Sequence, residues 1–160
     1  MLTPSGKGFR AIRPMYRRFR RISRALCGFF GPVMPGEYIA KSAYCGIDPE
    51  TPTHLCKDCT FSRQVWSFIK RWFSLSVIDT VGMIASLHKY WRKCRMKIDK
   101  DQRKAFDGIM IYFWWNLWKE TNRRTFQNKL LQPSQVALLC KEDIEQYQLA
   151  TRFHDGPQQE

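Results

Sequence analysis

Acidic residues are scarce in this chain, with 14 Asp and Glu against 27 Lys and Arg, and no two aspartates are adjacent. Catalysis by two metal ions needs clustered carboxylates, so the composition argues against a polymerase centre. A Walker-type phosphate loop is missing, as is a Gly-x-Ser-x-Gly elbow, and no Cys/His pair stands in a setting that activates a nucleophile. The chain therefore reads as non-enzymatic, with no small-molecule substrate. Long apolar runs are missing too: the longest, residues 108–118, falls short of the ~20 residues that cross a bilayer, and its aromatic content fits a buried helix. There is no internal repeat and no strand-like alternation. Six cysteines over 160 residues are too sparse for a secreted disulfide scaffold. That points to a reducing compartment, nucleus or cytoplasm, and away from secretion. An Arg-rich, acid-free run at residues 17–24 has the composition of an organelle import signal or a nuclear localisation patch, although Gly28, Gly31, Pro32 and Pro35 interrupt the apolar residues that follow.

What is abundant is positive charge, +13 overall and unevenly placed. Residues 1–36 hold eight Lys and Arg and no acid; residues 89–104 hold another eight against Asp99 and Asp101. Blocks of this kind mark association with a polyanion, nucleic acid ahead of an anionic membrane surface, or else a solvated tail and helix face. Residues 1–40 are dense in Pro and Gly and read as a disordered basic tail; residues 152–160 read as a disordered C-terminus. Between them, 44% hydrophobic content supports one modest core. Apolar spacing predicts helices with Phe61, Val65, Phe68, Ile69 and Trp72 on one face, then Met83, Ile84, Leu87, Trp91 and Cys94, then Phe106 to Trp118, then Val136, Cys140, Ile144 and Tyr147. Thr60 or Ser62 is the expected cap of the first, Asp99 or Asp101 of the third, and Pro133-Ser134 the start of the last. The expected fold is a small, mostly α domain over residues 41–151 with a Cys/His knuckle at its front.

That knuckle lies between Tyr44 and Cys59, where three of the six cysteines and one of the three histidines are gathered. Thiolate and imidazole are what Zn²⁺ prefers. Gly46 permits a tight turn after Cys45, His54 follows nine residues on, and Cys59 comes shortly after. A closed site wants four ligands in two close pairs, and Ser42 stands where the first pair would begin. A hydroxyl is a poor zinc ligand because it stays protonated near neutral pH. Three outcomes follow from the spacing. Cys56 joins Cys45, His54 and Cys59; water or Cys27 fills the fourth position; or zinc is held on three ligands or not at all. Read without a metal, Cys56 is a small buried core residue.

The order Cys45-Gly46, Glu50-Thr51, His54-Leu55, Cys59, Phe61-Ser62 and Val65-Trp66 resembles the zinc-binding domain that follows the reverse transcriptase in plant LINE-type, non-LTR retrotransposon polyproteins. A second block, Trp114-Trp115-Asn116-Leu117-Trp118-Lys119-Glu120-Thr121-Asn122-Arg123-Arg124-Thr125-Phe126, resembles the Trp-x-x-Trp-Lys-x-Arg-Asn segment that closes such polyproteins, with Thr121 in place of the usual Arg. The resemblance covers residues 42 to about 150. It implies a Cys₃His site whose first cysteine is replaced by Ser42, with Glu50 and Thr51 bonding loop amides around the ligands. It also implies an accessory role beside an enzyme that copies RNA into DNA.

Joined to the charge pattern, these residues give zinc on Cys45, His54 and Cys59, with Cys56 as the candidate fourth. Arg92, Lys93, Arg95, Lys97, Arg123 and Arg124 are the candidate contacts to RNA or DNA phosphates, which carry no sequence information. His88 reads as a surface histidine, and Trp115 as a candidate exposed contact. A second reading makes the chain a helical protein-interaction fragment whose stripe at Phe113, Trp114 and Leu117 seats a partner. A third makes it a transposon relic without bound metal. Oligomeric state is not legible at this level.

Overall fold

The structure, a computed structural model, describes residues 41–80 and 87–154. The basic tail at residues 1–40, Cys27, Met83, Ile84 and residues 155–160 lie outside the described residues. A loop at residues 41–53 leads into a π turn, His54–Asp58, and then into helix α1, Thr60–Trp72. A 3₁₀ turn, Ser76–Thr80, precedes α2, Leu87–Met96; a second, Lys100–Gln102, opens onto the long α3, Arg103–Gln127; α4 is Pro133–His154. Among the described residues the only strand-type pairing is one antiparallel bridge, Lys41 with Pro49. The fold is mostly helical with a Cys/His group near its front, as the sequence predicts.

Local chemistry sets the boundaries. α1 ends in a Schellman turn: Ser74 takes φ 54° and the Leu75 amide donates back to the Lys70 carbonyl at 2.9 Å. Asn128, with φ 50°, ends α3 in the same left-handed region, which asparagine tolerates better than most residues. α4 starts with Pro133 in its first turn, where no amide is needed, and Gln135 Oε1 accepts the Gln132 amide at 2.8 Å, half of a capping box. The expected caps of the other helices are corrected. Cys59 takes the position before α1, and the Ser62 hydroxyl donates instead to the Leu55 carbonyl, joining α1 to the π turn. Asp99 precedes the second 3₁₀ turn and makes no capping bond through its side chain. α4 also runs past the expected domain end at residue 151, as far as His154.

α4 packs against both α3 and α1, so α3 is covered on several sides. Val65, Ile69, Val136, Ala137, Cys140 and Ile144 are all at most 1% exposed and form the seam between α1, α3 and α4. The enclosure of α3 explains why its buried set includes polar residues: Asp107, Asn116 and Glu120 are each no more than 2% exposed. Each ties α3 to a different neighbour. Asp107 accepts from Trp91 Nε1 and Arg95 Nε at 3.0 Å, fastening α2. Asn116 Nδ2 donates to Asp143 Oδ2 at 2.9 Å, and Lys119 reaches the same oxygen at 3.4 Å, fastening α4. Glu120 accepts from Arg123, Arg124 and the Leu131 amide, fixing the turn between α3 and α4.

Gly108 is a point of close approach between α3 and α4. A Cβ there would lie 2.5 Å from Tyr147 Cε1 and 2.8 Å from Cδ1. In open solvent Gly→Ala within a helix gains about 1 kcal/mol of stability; here the added methyl must displace the ring, at about 1–3 kcal/mol. Gly108→Ala should therefore lower the urea midpoint in the native background and raise it in a Tyr147→Ala background. Equal effects in the two backgrounds would show that the ring yields freely.

Candidate metal centre

The ligands are assembled by two short backbone devices. In the first, Gly46 at φ 66° turns the chain so that its amide reaches the Ser42 carbonyl at 2.8 Å, while the Ser42 amide reaches the Asp48 carbonyl, also at 2.8 Å. This closed loop presents the half-buried Cys45 toward His54. In the second, the π turn bonds the Cys59 amide to the His54 carbonyl at 2.8 Å. His54 and Cys59, five residues apart, thereby become the two ends of one hydrogen-bonded ring. An ordinary α turn would close on the residue one position earlier and leave Cys59 out of line.

Cys45, His54 and Cys59 present ligand atoms that all lie within 4.8 Å of one another, with Cys45 Sγ 3.4 Å from His54 Nε2. Tetrahedral zinc, with bonds of about 2.3 Å to sulfur and about 2.0 Å to nitrogen, puts sulfur and nitrogen roughly 3.5 Å apart. The donor set fits. His54 Nδ1 faces the exposed Asp48 Oδ2 at 3.9 Å, too far for a hydrogen bond, so the carboxylate lies beside the imidazole without fixing its orientation. Thr51 Oγ1 accepts the His54 amide at 3.1 Å, and Glu50 Oε2 accepts the Ala43 amide at 3.1 Å. Both residues thus bond the backbone around the cluster. Burial pushes the Glu50 carboxyl up, against the Ala43 amide and His54.

The two thiols differ. Desolvation opposes the Cys45 thiolate, but the amides of Asp48 and Ile47, followed by His54 and Ser42, outweigh it and bring the thiol down to about 6. Burial pushes Cys59 up, and the adjacent Cys45 sulfur adds to this against the amides of Phe61 and Ser62. Ser42 is 3% exposed, and its hydroxyl, which accepts the Tyr44 amide at 3.2 Å, also bonds the Cys45 sulfur. The serine therefore stands beside the trio. Cys56 does not: it is 3% exposed and packed in the hydrophobic core, outside the group of three. The π turn that brings His54 and Cys59 together points Cys56 into the core. Cys94 and Cys140 are buried as well, Cys94 pushed by burial to about 11.

The loop is fastened to α3 through Tyr44 and Arg124. The Tyr44 hydroxyl donates to the Leu117 carbonyl and accepts from Thr121 Oγ1 at 2.8 Å; its ring stacks on Phe61 at 4.7 Å. Arg124 bonds Glu120 at 2.8 Å and the Ala43 and Leu131 carbonyls at 3.1 Å each, and its guanidinium lies 4.4 Å from the centre of the Phe61 ring. Tyr44 and Glu120 are the supporting residues that the sequence pattern does not reveal.

Of the expected phosphate contacts, Arg92, Lys93 and Lys97 are exposed on and just after α2. Arg95, Arg123 and Arg124 are instead ion-paired to the buried Asp107 and Glu120. His88 is exposed. Trp115 is half-buried and stacks on Trp118 at 4.9 Å. Phe113, Trp114 and Leu117 are at most 3% exposed and pack in the core, so they do not form an exposed stripe. No helix among the described residues is long and apolar enough to cross a membrane. Comparison with known protein families, with curated proteins and with solved structures gives no match.

Arg124→Ala should release the loop from α3 and leave Glu120 buried with one ion-pair partner fewer, at about 3–5 kcal/mol. Hydrogen exchange at the Ala43, Gly46 and Leu131 amides should accelerate more than in the middle of α1. Uniform acceleration across the helices would refute a local fastening.

Proposed function

We propose that the chain is a non-catalytic, zinc-binding helical module, derived from a retrotransposon reverse-transcriptase polyprotein, that associates with RNA or DNA without sequence preference. The observation that carries the metal part is the convergence of Cys45, His54 and Cys59, whose ligand atoms all lie within 4.8 Å of one another. Zinc here is structural: it would join the residue 41–49 loop to the start of α1. Cys45, His54 and Cys59 supply three ligands, and the Ser42 side is left to a weak hydroxyl or to water.

Two features support the retrotransposon origin. The motif residues converge as a zinc ligand set requires, and the two segments that carry the resemblance lie against each other through Tyr44, Thr121 and Arg124. Nucleic-acid association is supported by the charge pattern and by the exposed cations Arg92, Lys93 and Lys97 on one short stretch.

Purified protein should hold about one zinc per chain, and Cys59→Ala should lose it. Cys56→Ala should keep its zinc and lose only core stability, whereas Ser42→Cys should complete the ligand set and tighten zinc binding by roughly tenfold or more. Loss of zinc in Cys56→Ala, or no zinc in the wild type, contradicts this assignment. Affinity for RNA or DNA of mixed sequence should fall steeply between about 50 and about 200 mM salt. A flat salt response would exclude phosphate-driven binding.

A further inference from the structure

Next to the metal centre, the π turn, the outer side of α1, Ile78 and the Tyr90 edge of α2 enclose a half-open trough of about 750 Å³. Its rim carries Lys57, Arg63 and Lys70, and Asp58, the one acid among its lining residues, is already paired with Lys57. Trp66 and Phe113 form its buried floor. Tyr90 stands half-buried at its wall, with the Lys57 ammonium 5.8 Å from the ring centre. Arg63 and Lys70, seven residues apart on α1, are two turns and about 10 Å apart along the helix axis. A positive rim over an aromatic wall is the arrangement that binds single-stranded nucleic acid, phosphates outside and a base against the ring.

The shape and charge narrow the occupant. A duplex keeps its bases stacked and paired inside and cannot lower one into a recess, whereas an unpaired strand can. Residues 1–36 of the chain itself carry eight bases and no acid, the wrong sign for this rim. Thr60, Gln64 and Ser67 add hydrogen-bonding groups without fixing a base identity.

We infer that this trough binds an unpaired stretch of RNA or DNA, its phosphates on Arg63 and Lys70 and one base against Tyr90. The inference rests on the nucleic-acid reading above and gives it a strand preference and a place. It is tested by fluorescence anisotropy on the full chain, with labelled oligo-dT and oligo-U of about 12 nucleotides and a duplex of about 12 base pairs. The variants are Arg63→Gln with Lys70→Gln, Tyr90→Ala, Tyr90→Phe, and Arg92→Gln with Lys93→Gln, each checked for folding by circular dichroism. Wild type should prefer the single strands. The Arg63/Lys70 pair and Tyr90→Ala should each weaken them roughly tenfold, and Tyr90→Phe, which keeps the ring and the packing, should bind as wild type does.

Unchanged single-strand binding in the Arg63/Lys70 pair and in Tyr90→Ala, with loss in the Arg92/Lys93 pair, overturns the trough and leaves general nucleic-acid association standing. Equal wild-type affinity for duplex and single strand also overturns it. Wild type that binds neither polymer overturns both readings. A phosphopeptide of matched charge that displaces oligo-dT as well as unlabelled oligo-dT does would assign the trough to acidic peptides and reject this inference.

Discussion

The carboxylate of Glu120, completely enclosed within the fold, is the constraint on which the front of this structure depends. A buried charge is tolerated only when paired and hydrogen-bonded. Glu120 is paired twice, to Arg123 and Arg124, and takes a third bond from the Leu131 amide. The consequence reaches beyond α3, because a guanidinium has more donors than one carboxylate can use. Arg124 directs the others at the carbonyls of Ala43 and Leu131 and lays its face on Phe61. One ion pair thus sets the position of the loop that carries Cys45 and of the turn that leads into α4.

This arrangement divides the work between the metal ligands and the core. In a small zinc finger the metal supplies most of the folding free energy. Here α1, α3 and α4 bury a continuous apolar seam of their own, and the loop is held by Tyr44 and Arg124 independently of any ion. Zinc would therefore add to a site already shaped. Three ligands on a prepared scaffold form a different object from three ligands on a flexible chain, because the entropy of gathering them is met by contacts elsewhere. Ser42 bears on the same point. Its amide and carbonyl close the Gly46 turn whatever its side chain is, so the loop geometry does not depend on the hydroxyl at this position.

Much of this was legible in the sequence where periodicity or spacing carries the signal. Val65 and Ile69 on α1, and Val136, Cys140 and Ile144 on α4, recur at helical intervals and are all buried. Cys45, His54 and Cys59 stand at ligand spacing and meet. What could not be read depends on tertiary partners. Cys56 with Cys59 has the spacing of a zinc half-site, yet a π turn in place of an α turn sends Cys56 inward, and nothing in those residues announces the turn. Asp107, Asn116 and Glu120 interrupt an apolar pattern, and only the neighbours that receive them explain why a helix would bury them. The caps at Thr60 and Asp99 failed for a related reason: the turns that precede α1 and α3 continue the hydrogen bonding and leave no side chain that role.

The same distinction separates two kinds of positive charge that composition treats alike. Arg95 and Arg124 lie beside buried carboxylates, and their guanidinium groups are committed to the fold. Moving either toward a phosphate would leave a buried carboxylate with one charged partner fewer, which outweighs the gain from one solvent-exposed phosphate contact. Arg92, Lys93 and Lys97 on the α2 side, and Arg63 on α1, are exposed. Exposed cations such as these can turn toward a polyanion without that cost.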